Sequence, residues 1–175
     1  MTLLERVYRL FAIRQRSERE IRDYFKIKNL KLKMTHPASG GKGEEQIPQV
    51  DIEKVIEILK SKGLINDIEF AKAWVESRRR SKKKGKIAMK AELLQKGIGR
   101  EIIEEIVARE VDISEEDLAT QALEKRLKRW ENLESLEVNE KSLRDLKKKA
   151  VEFLMRRGFE FEVAKEVVEK ILKKG

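Results

Sequence analysis

Adjacent apolar pairs set one helical turn apart constrain this chain more than any other feature. Ile102 and Ile103 are followed by Ile106 and Val107. Val163 and Ala164 are followed by Val167 and Val168, then by Ile171 and Leu172. Such a stripe lies on one face of an α-helix and has no counterpart on a pleated strand, where neighbouring side chains point to opposite faces. No alternating Val/Ile/Thr segment bounded by hairpin turns competes with it. The 2 prolines and several of the 9 glycines fall between the stripes, where helices must stop. The pattern predicts an all-α chain. Its 40% hydrophobic residues suffice for a core, and 42% charged residues imply slender helices with much outer face, hence an elongated array rather than a sphere.

Caps and breakers divide the chain into about nine helices. The first runs from Thr2 to Arg14 on a face of Leu3, Leu4, Val7, Tyr8, Leu10 and Phe11. Ser17 to Glu20 has the Ser-x-x-Glu form of a capping box ahead of Ile21, Tyr24 and Phe25. The segment from Thr35 to Gln49 holds both prolines and reads as an inserted loop. Asp51 is placed to cap a third helix buried through Ile52, Val55, Ile56 and Leu59 and ended by Gly63. A second triplet begins at Asn66 with Phe70, Ala71, Trp74 and Val75. It continues through Ile87, Ala91 and Leu94 to Gly97, and closes on the Ile102 stripe. Ser114 to Asp117 opens a third triplet carrying Leu118, Ala119, Ala122 and Leu123. "LLQKGI" ending at Ile98 aligns with "FLMRRGF" ending at Phe159, and in each the next apolar pair starts five residues beyond the glycine. These correspondences predict three tandem three-helix repeats, over residues 1–63, 64–111 and 112–175.

Parts for catalysis are missing. There is no cysteine, which excludes disulfides and thiolate chemistry, and the one histidine, His36, lies in the inserted loop without companions. No catalytic residue, metal site or cofactor is therefore expected. "SGGKG" departs from a phosphate loop because Gly43 stands where the magnesium-binding hydroxyl belongs. The pairs Glu104/Glu105 and Glu115/Glu116 read as solvated helix surface. No apolar run is long enough to span a bilayer, and the N-terminal stretch carries charges unlike a signal peptide. A cytoplasmic monomer without membrane contact is expected.

Positive charge is concentrated in one place. Between Arg78 and Arg100 stand Arg78, Arg79, Arg80, Lys82, Lys83, Lys84, Lys86, Lys90, Lys96 and Arg100, opposed within the window only by Glu92. The window's net +9 equals that of the whole chain, so the remainder is balanced. Seven like charges within nine residues repel one another unless a polyanion neutralises them, which makes these ten residues the candidate partner-binding or nucleic-acid-binding set. The absence of aromatic residues in the window points to phosphates or acidic side chains rather than stacked bases. Trp74, just before it, falls within a helical stripe and is expected in the core.

The stretch "GLINDIEFAKAWVESRRRSKKKGKIAMKAELLQKGI", from Gly63 to Ile98, resembles the central signature of the RecX family, bacterial regulators of the RecA recombinase. The resemblance rests on Gly-Leu-Ile-x-Asp before a helix, Phe70-Ala71, the Arg-rich helix end and a glycine after basic residues. It continues through Glu92-Leu93 and Lys96-Gly97-Ile98. Two departures stand out: Lys86 follows Gly85 where the family often has proline, and the Thr35 to Gln49 loop is longer than usual. The resemblance implies nine helices in three triplets, lying along a RecA-type recombinase filament on single-stranded DNA and modulating it. Physical reasoning without the resemblance reaches an elongated helical binder of an anionic partner. It leaves open a free-standing, sequence-nonspecific DNA-binding protein of tandem helix-turn-helix type.

Overall fold

The computed structural model describes residues 2–35, 47–109, 114–131 and 140–173, and among these there are nine α-helices and no strand. They are α1 (Leu3–Ile13), α2 (Glu18–Thr35), α3 (Gln49–Ser61), α4 (Asp67–Ser77), α5 (Lys86–Gln95), α6 (Arg100–Arg109), α7 (Glu115–Glu131), α8 (Glu140–Arg156) and α9 (Phe161–Leu172). A π-helical turn, Arg78–Lys82, prolongs α4.

Four starts follow the side chains that satisfy orphan amides. Thr2 and Glu5 form a reciprocal capping box on α1. Asn66 accepts the Ile68 and Glu69 N–H groups of α4, and Ser114 accepts that of Asp117 on α7. At α2 only half a box exists: Ser17 Oγ accepts the Glu20 N–H at 3.3 Å, but the Glu20 carboxylate turns to Arg14 and Lys96. Asp51 does not cap α3. Pro48, with φ −60°, occupies that position, the helix starts at Gln49, and Asp51 sits inside the first turn, where its charge complements the helix dipole. The expected loop is also shorter at both ends, since Thr35 closes α2 and Gln49 opens α3. His36 and the "SGGKG" segment lie outside the described residues.

The buried side chains form three cores, one per triplet. Val7, Ile21, Phe25, Ile52, Val55, Ile56, Leu59 and Ile65 make the first. Phe70, Ala71, Val75, Met89, Leu93, Ile98, Ile103, Ile106 and Val107 make the second. The third takes Leu118, Ala119, Ala122, Leu123, Ala150, Leu154, Phe159, Ala164, Val167 and Val168. Helix α5 turns a different face inward from the one its markers suggest, burying Met89 and Leu93 while Ile87, Ala91 and Leu94 are exposed. Leu93 and Leu94 are alike in hydropathy. The Gly97 turn decides between them, because the Ile98 N–H folds back to the Leu93 carbonyl at 3.1 Å and brings Ile98 and Leu93 into one core.

One joint, used twice, links the triplets. At the first, the Ser17 hydroxyl donates to the Lys96 carbonyl at 2.7 Å and the Glu18 N–H donates to Asp67 Oδ1. At the second, the Gly85 N–H donates to the Arg157 carbonyl at 2.9 Å and the Lys86 N–H to Glu115 Oε1 at 2.9 Å. In each case the cap of one triplet's second helix meets the glycine turn of the next triplet. The following amide meets a carboxylate at the start of that triplet's first helix. Lys86, rather than proline, supplies the amide that Glu115 accepts. At the second joint the backbones touch: a Cβ on Gly158, where φ is +84°, would stand 2.2 Å from the Ala88 nitrogen.

Two expected outcomes follow from these joints. Gly158→Ala should lower stability by more than about 1 kcal/mol in urea unfolding, since positive φ and backbone contact both oppose a side chain there. The Glu20 carboxyl, which burial alone would raise, is brought down to about 2 by Arg14 and Lys96, from the usual 4.5. With its folded value depressed, it contributes stability fully above pH 4.5, and that contribution is lost as pH falls towards 2. The Tm gap between the parent chain and Glu20→Gln should therefore be constant near neutrality and close between pH 4.5 and 2.

Candidate polyanion-binding cleft

The basic window does not fold as one exposed patch. Helix α4 ends by widening into the π-turn, and Lys83 then adopts φ 49° before Gly85 enters the second joint. π-turns and non-glycine residues at positive φ are uncommon in regular structure and concentrate at functional sites. Here they carry the chain from α4 to the third triplet while turning successive cations to different sides.

Carboxylates claim six of the ten predicted cations. Glu92 is the hub: it accepts Arg78 Nε at 2.7 Å and the Trp74 indole N–H at 2.9 Å, and it pairs with Lys84. Burial pushes the Glu92 carboxyl up, but hydrogen bonds from Lys84, Arg78 and Trp74 hold it below the usual carboxylate range. The other four carboxylates all come from outside the window. Arg80 pairs with Glu76, Lys86 with Glu115 at 3.3 Å, Lys90 with Glu104 at 2.6 Å, and Lys96 with Glu20 at 2.5 Å. Arg79, Lys82, Lys83 and Arg100 have no carboxylate partner among the described residues, and the buried Arg79 Nε has no hydrogen-bond acceptor there. Arg100 and Lys90 lie away from the turn on α6 and α5, so the ten residues do not converge on one point.

Trp74 is half-buried rather than enclosed. Phe70 stacks on it at 5.6 Å and the Arg78 guanidinium lies 3.9 Å from its ring centre, with Lys96 at 5.0 Å. Its position beside the first joint, in a cleft that also takes in Arg14 and Gln15, keeps one edge of the stripe open.

A stronger concentration of charge appears where the π-turn faces the third triplet. Arg80, Lys82, Lys83 and Lys84 form one wall of a cleft of about 440 Å³. Lys125, Arg126 and Arg129 of α7, with Arg156 and Arg157 at the end of α8, form the other, over a floor of Ala122 and Phe153. Nine cations line the cleft and no carboxylate does. Phe153 orders two of them, with the Arg157 and Arg126 guanidiniums 4.8 Å and 5.6 Å from its ring centre. Arg157 also donates to the Lys82 carbonyl. Burial, and then the nearby charges of Arg126 and Arg129, lower the Arg157 pKa. Arg126 Nε is buried without an acceptor. Chemically the lining is complementary to a polyanion, with guanidinium forks suited to phosphate oxygens.

The five cations of α7 and α8 were absent from the sequence-derived set because acidic residues elsewhere in the third triplet balance them in a linear count. Their signal was positional. Lys125 and Arg129 are one turn apart, and Arg157 occupies the same place before its glycine as Lys96 does.

Among the described residues no group of His, Cys, Asp and Glu is arranged to hold a metal ion, and no helix is long and apolar enough to cross a membrane.

Comparison with known proteins bears on the same elements. The second three-helix domain of RecX matches residues 66–106 and the third matches residues 114–168. The regulatory protein RecX of Chlorobium phaeobacteroides is 34% identical over 122 residues, covering 70% of this chain and 73% of its own. That of Listeria welshimeri is 28% identical over 163 residues, 93% of this chain, and this chain spans about half the length (51%) of that relative. The crystal structure of RecX from Lactobacillus salivarius superposes with a TM-score of 0.67 at 19% identity, covering 96% of this chain and 93% of that one, which shows a shared fold. By its two matched domains, its relatives and its architecture, the chain belongs to the RecX family of regulatory proteins.

Proposed function

We propose that this protein regulates homologous recombination by binding a RecA-type recombinase filament on single-stranded DNA and modulating its activity, acting as a cytoplasmic monomer and without catalysis of its own. The family supports a regulatory role, and the observation that carries the binding mode is the cleft of nine cations without a carboxylate between the second and third triplets. Phosphates of the strand, or acidic side chains of the recombinase beside it, supply the charge this cleft lacks. We place the triplet boundaries at 63/64 and 111/112. Helices of 10 to 18 residues then span roughly 15 to 27 Å each, so three triplets in series reach across more than one protomer of a filament.

Contacts to phosphate position a protein without reading bases, so binding should be indifferent to sequence. Within the sequence-derived set, Lys82 and Lys83 carry this role, joined by Lys125, Arg129 and Arg156. Arg78, Lys84, Lys86, Lys90 and Lys96 chiefly hold the protein together through their carboxylates.

Replacing Lys82, Lys83, Lys125 and Arg129 by glutamine should leave the helical circular dichroism and Tm near those of the parent. The same change should weaken binding to unrelated single strands about equally and flatten the fall of log affinity with log salt, by about one counterion per lost phosphate contact. The reading of a filament regulator is tested by the DNA-dependent ATPase of a RecA-type recombinase, measured at protein concentrations where free strand is not bound. A change in ATPase that the quadruple variant reduces supports it. An unchanged ATPase with intact DNA binding would make the protein a free-standing DNA-binding protein instead.

A further inference from the structure

The two joints share a plan, with a hydroxyl donor at Ser17 where Gly85 uses its amide, and they differ in what lies between their cations. Ser17 and Gly85 cap equivalent helices, Glu18 and Lys86 donate equivalent amides to Asp67 and Glu115, and Lys96 and Arg157 precede equivalent glycines. By the same count Arg14 corresponds to Lys82, three residues before the cap, and Glu20 to Ala88, three residues after it. At the first joint the Glu20 carboxylate sits between the two cations, 2.8 Å from Arg14 and 2.5 Å from Lys96. At the second joint the cations are present as Lys82 and Arg157, and the residue that would carry the carboxylate is alanine.

We propose that the second joint contains a phosphate subsite between Lys82 and Arg157, in the place that the carboxylate of Glu20 fills at the first. A phosphodiester of the bound strand closes this joint as Glu20 closes the other. The inference deepens the reading of the cleft as a single-strand site and rests on it.

Three observations support the placement. Arg14 lines one cleft beside Trp74, and its counterpart Lys82 lines the other together with Arg157. Arg157 is held in position by the Phe153 ring and by the Lys82 carbonyl, so its fork is ordered before any anion arrives. The buried Arg126 Nε beside it has no acceptor. A nucleic-acid strand suits the site better than an acidic peptide. One carboxylate satisfies two cations at the first joint, whereas the second gathers Lys82, Lys83, Arg126, Arg129 and Arg157 with none. A phosphodiester offers two free oxygens to one guanidinium fork, and its neighbours along the strand meet the remaining cations.

A group that binds across a joint stabilises the folded array, so the effect is legible without recombinase. The test is thermal unfolding of the full chain in inorganic phosphate against chloride at matched ionic strength, and with a twelve-residue oligothymidylate against oligoglutamate of equal charge. Phosphate and oligothymidylate should each raise Tm by several degrees beyond their controls. Lys82→Gln, an exposed change that leaves the packing intact, should remove most of that gain, as should Arg157→Gln. Glu20→Gln, which empties the first joint, should lower Tm in chloride and show a larger phosphate-dependent gain than the parent. A gain that survives Lys82→Gln, a Glu20→Gln response no larger than the parent's, or oligoglutamate protecting as well as oligothymidylate would each overturn the proposal. None of these results depends on the ATPase measurement, so loss of the subsite leaves the filament reading standing, and the converse holds.

Discussion

The contact between a helix cap and the glycine turn of the next triplet governs this molecule. Each triplet buries its own stripe, and a three-helix core of eight to ten side chains could exist as an independent bead. What makes an array is that the unpaired amides at the start of α2 and α5 find acceptors in the following triplet rather than in water. Hydrogen bonds from buried amides are expensive to leave unmade, so the direction of each second helix is tied to its neighbour's turn. At the second joint the approach is backbone to backbone, which only glycines at 85 and 158 permit.

This constraint explains where the charge goes. Since α5 must begin against the third triplet, the ten cations around its start cannot remain on one face. Those that look back toward the second core are met by Glu92 and Glu104, and those near the third triplet's first helix by Glu115. Of the unmet charge, Lys82 and Lys83 fall on the side where the π-turn faces α7 and the end of α8. The cleft is thus a by-product of the joint's geometry, with arginines on both sides. A linear window locates the region but overstates how many of its charges are free.

Much of this was legible in sequence, and the failures have physical causes. Periodic pairs such as Ile102/Ile103 and Ile106/Val107 identify helices because burial repeats every turn, and the match of "LLQKGI" with "FLMRRGF" marks turns that are the same in space. The inward face of α5 was not legible, because Leu93 and Leu94 differ in nothing except their relation to the Gly97 turn. The cap of α3 was misplaced because Pro48 starts that helix by fixing φ, without a side-chain acceptor. Trp74 sits in a stripe and yet is only half-buried, since the guanidinium of Arg78 replaces an apolar neighbour on its face. The third triplet's cations were hidden because acidic residues in the same triplet balance them in a linear count, and the cleft forms only where two triplets meet.

A tandem array of this kind is a set of near-identical joints on which single residues can be varied with local consequences. Glu20 and Ala88 occupy one position in that plan. With a carboxylate there, the joint is satisfied internally and its cations are withdrawn from binding, as the depressed Glu20 carboxyl attests. With alanine there, Lys82 and Arg157 line a cleft whose lining holds no carboxylate. The first joint holds a carboxylate between its two cations, and the second, where the backbones also touch, has alanine at the matching place in the sequence.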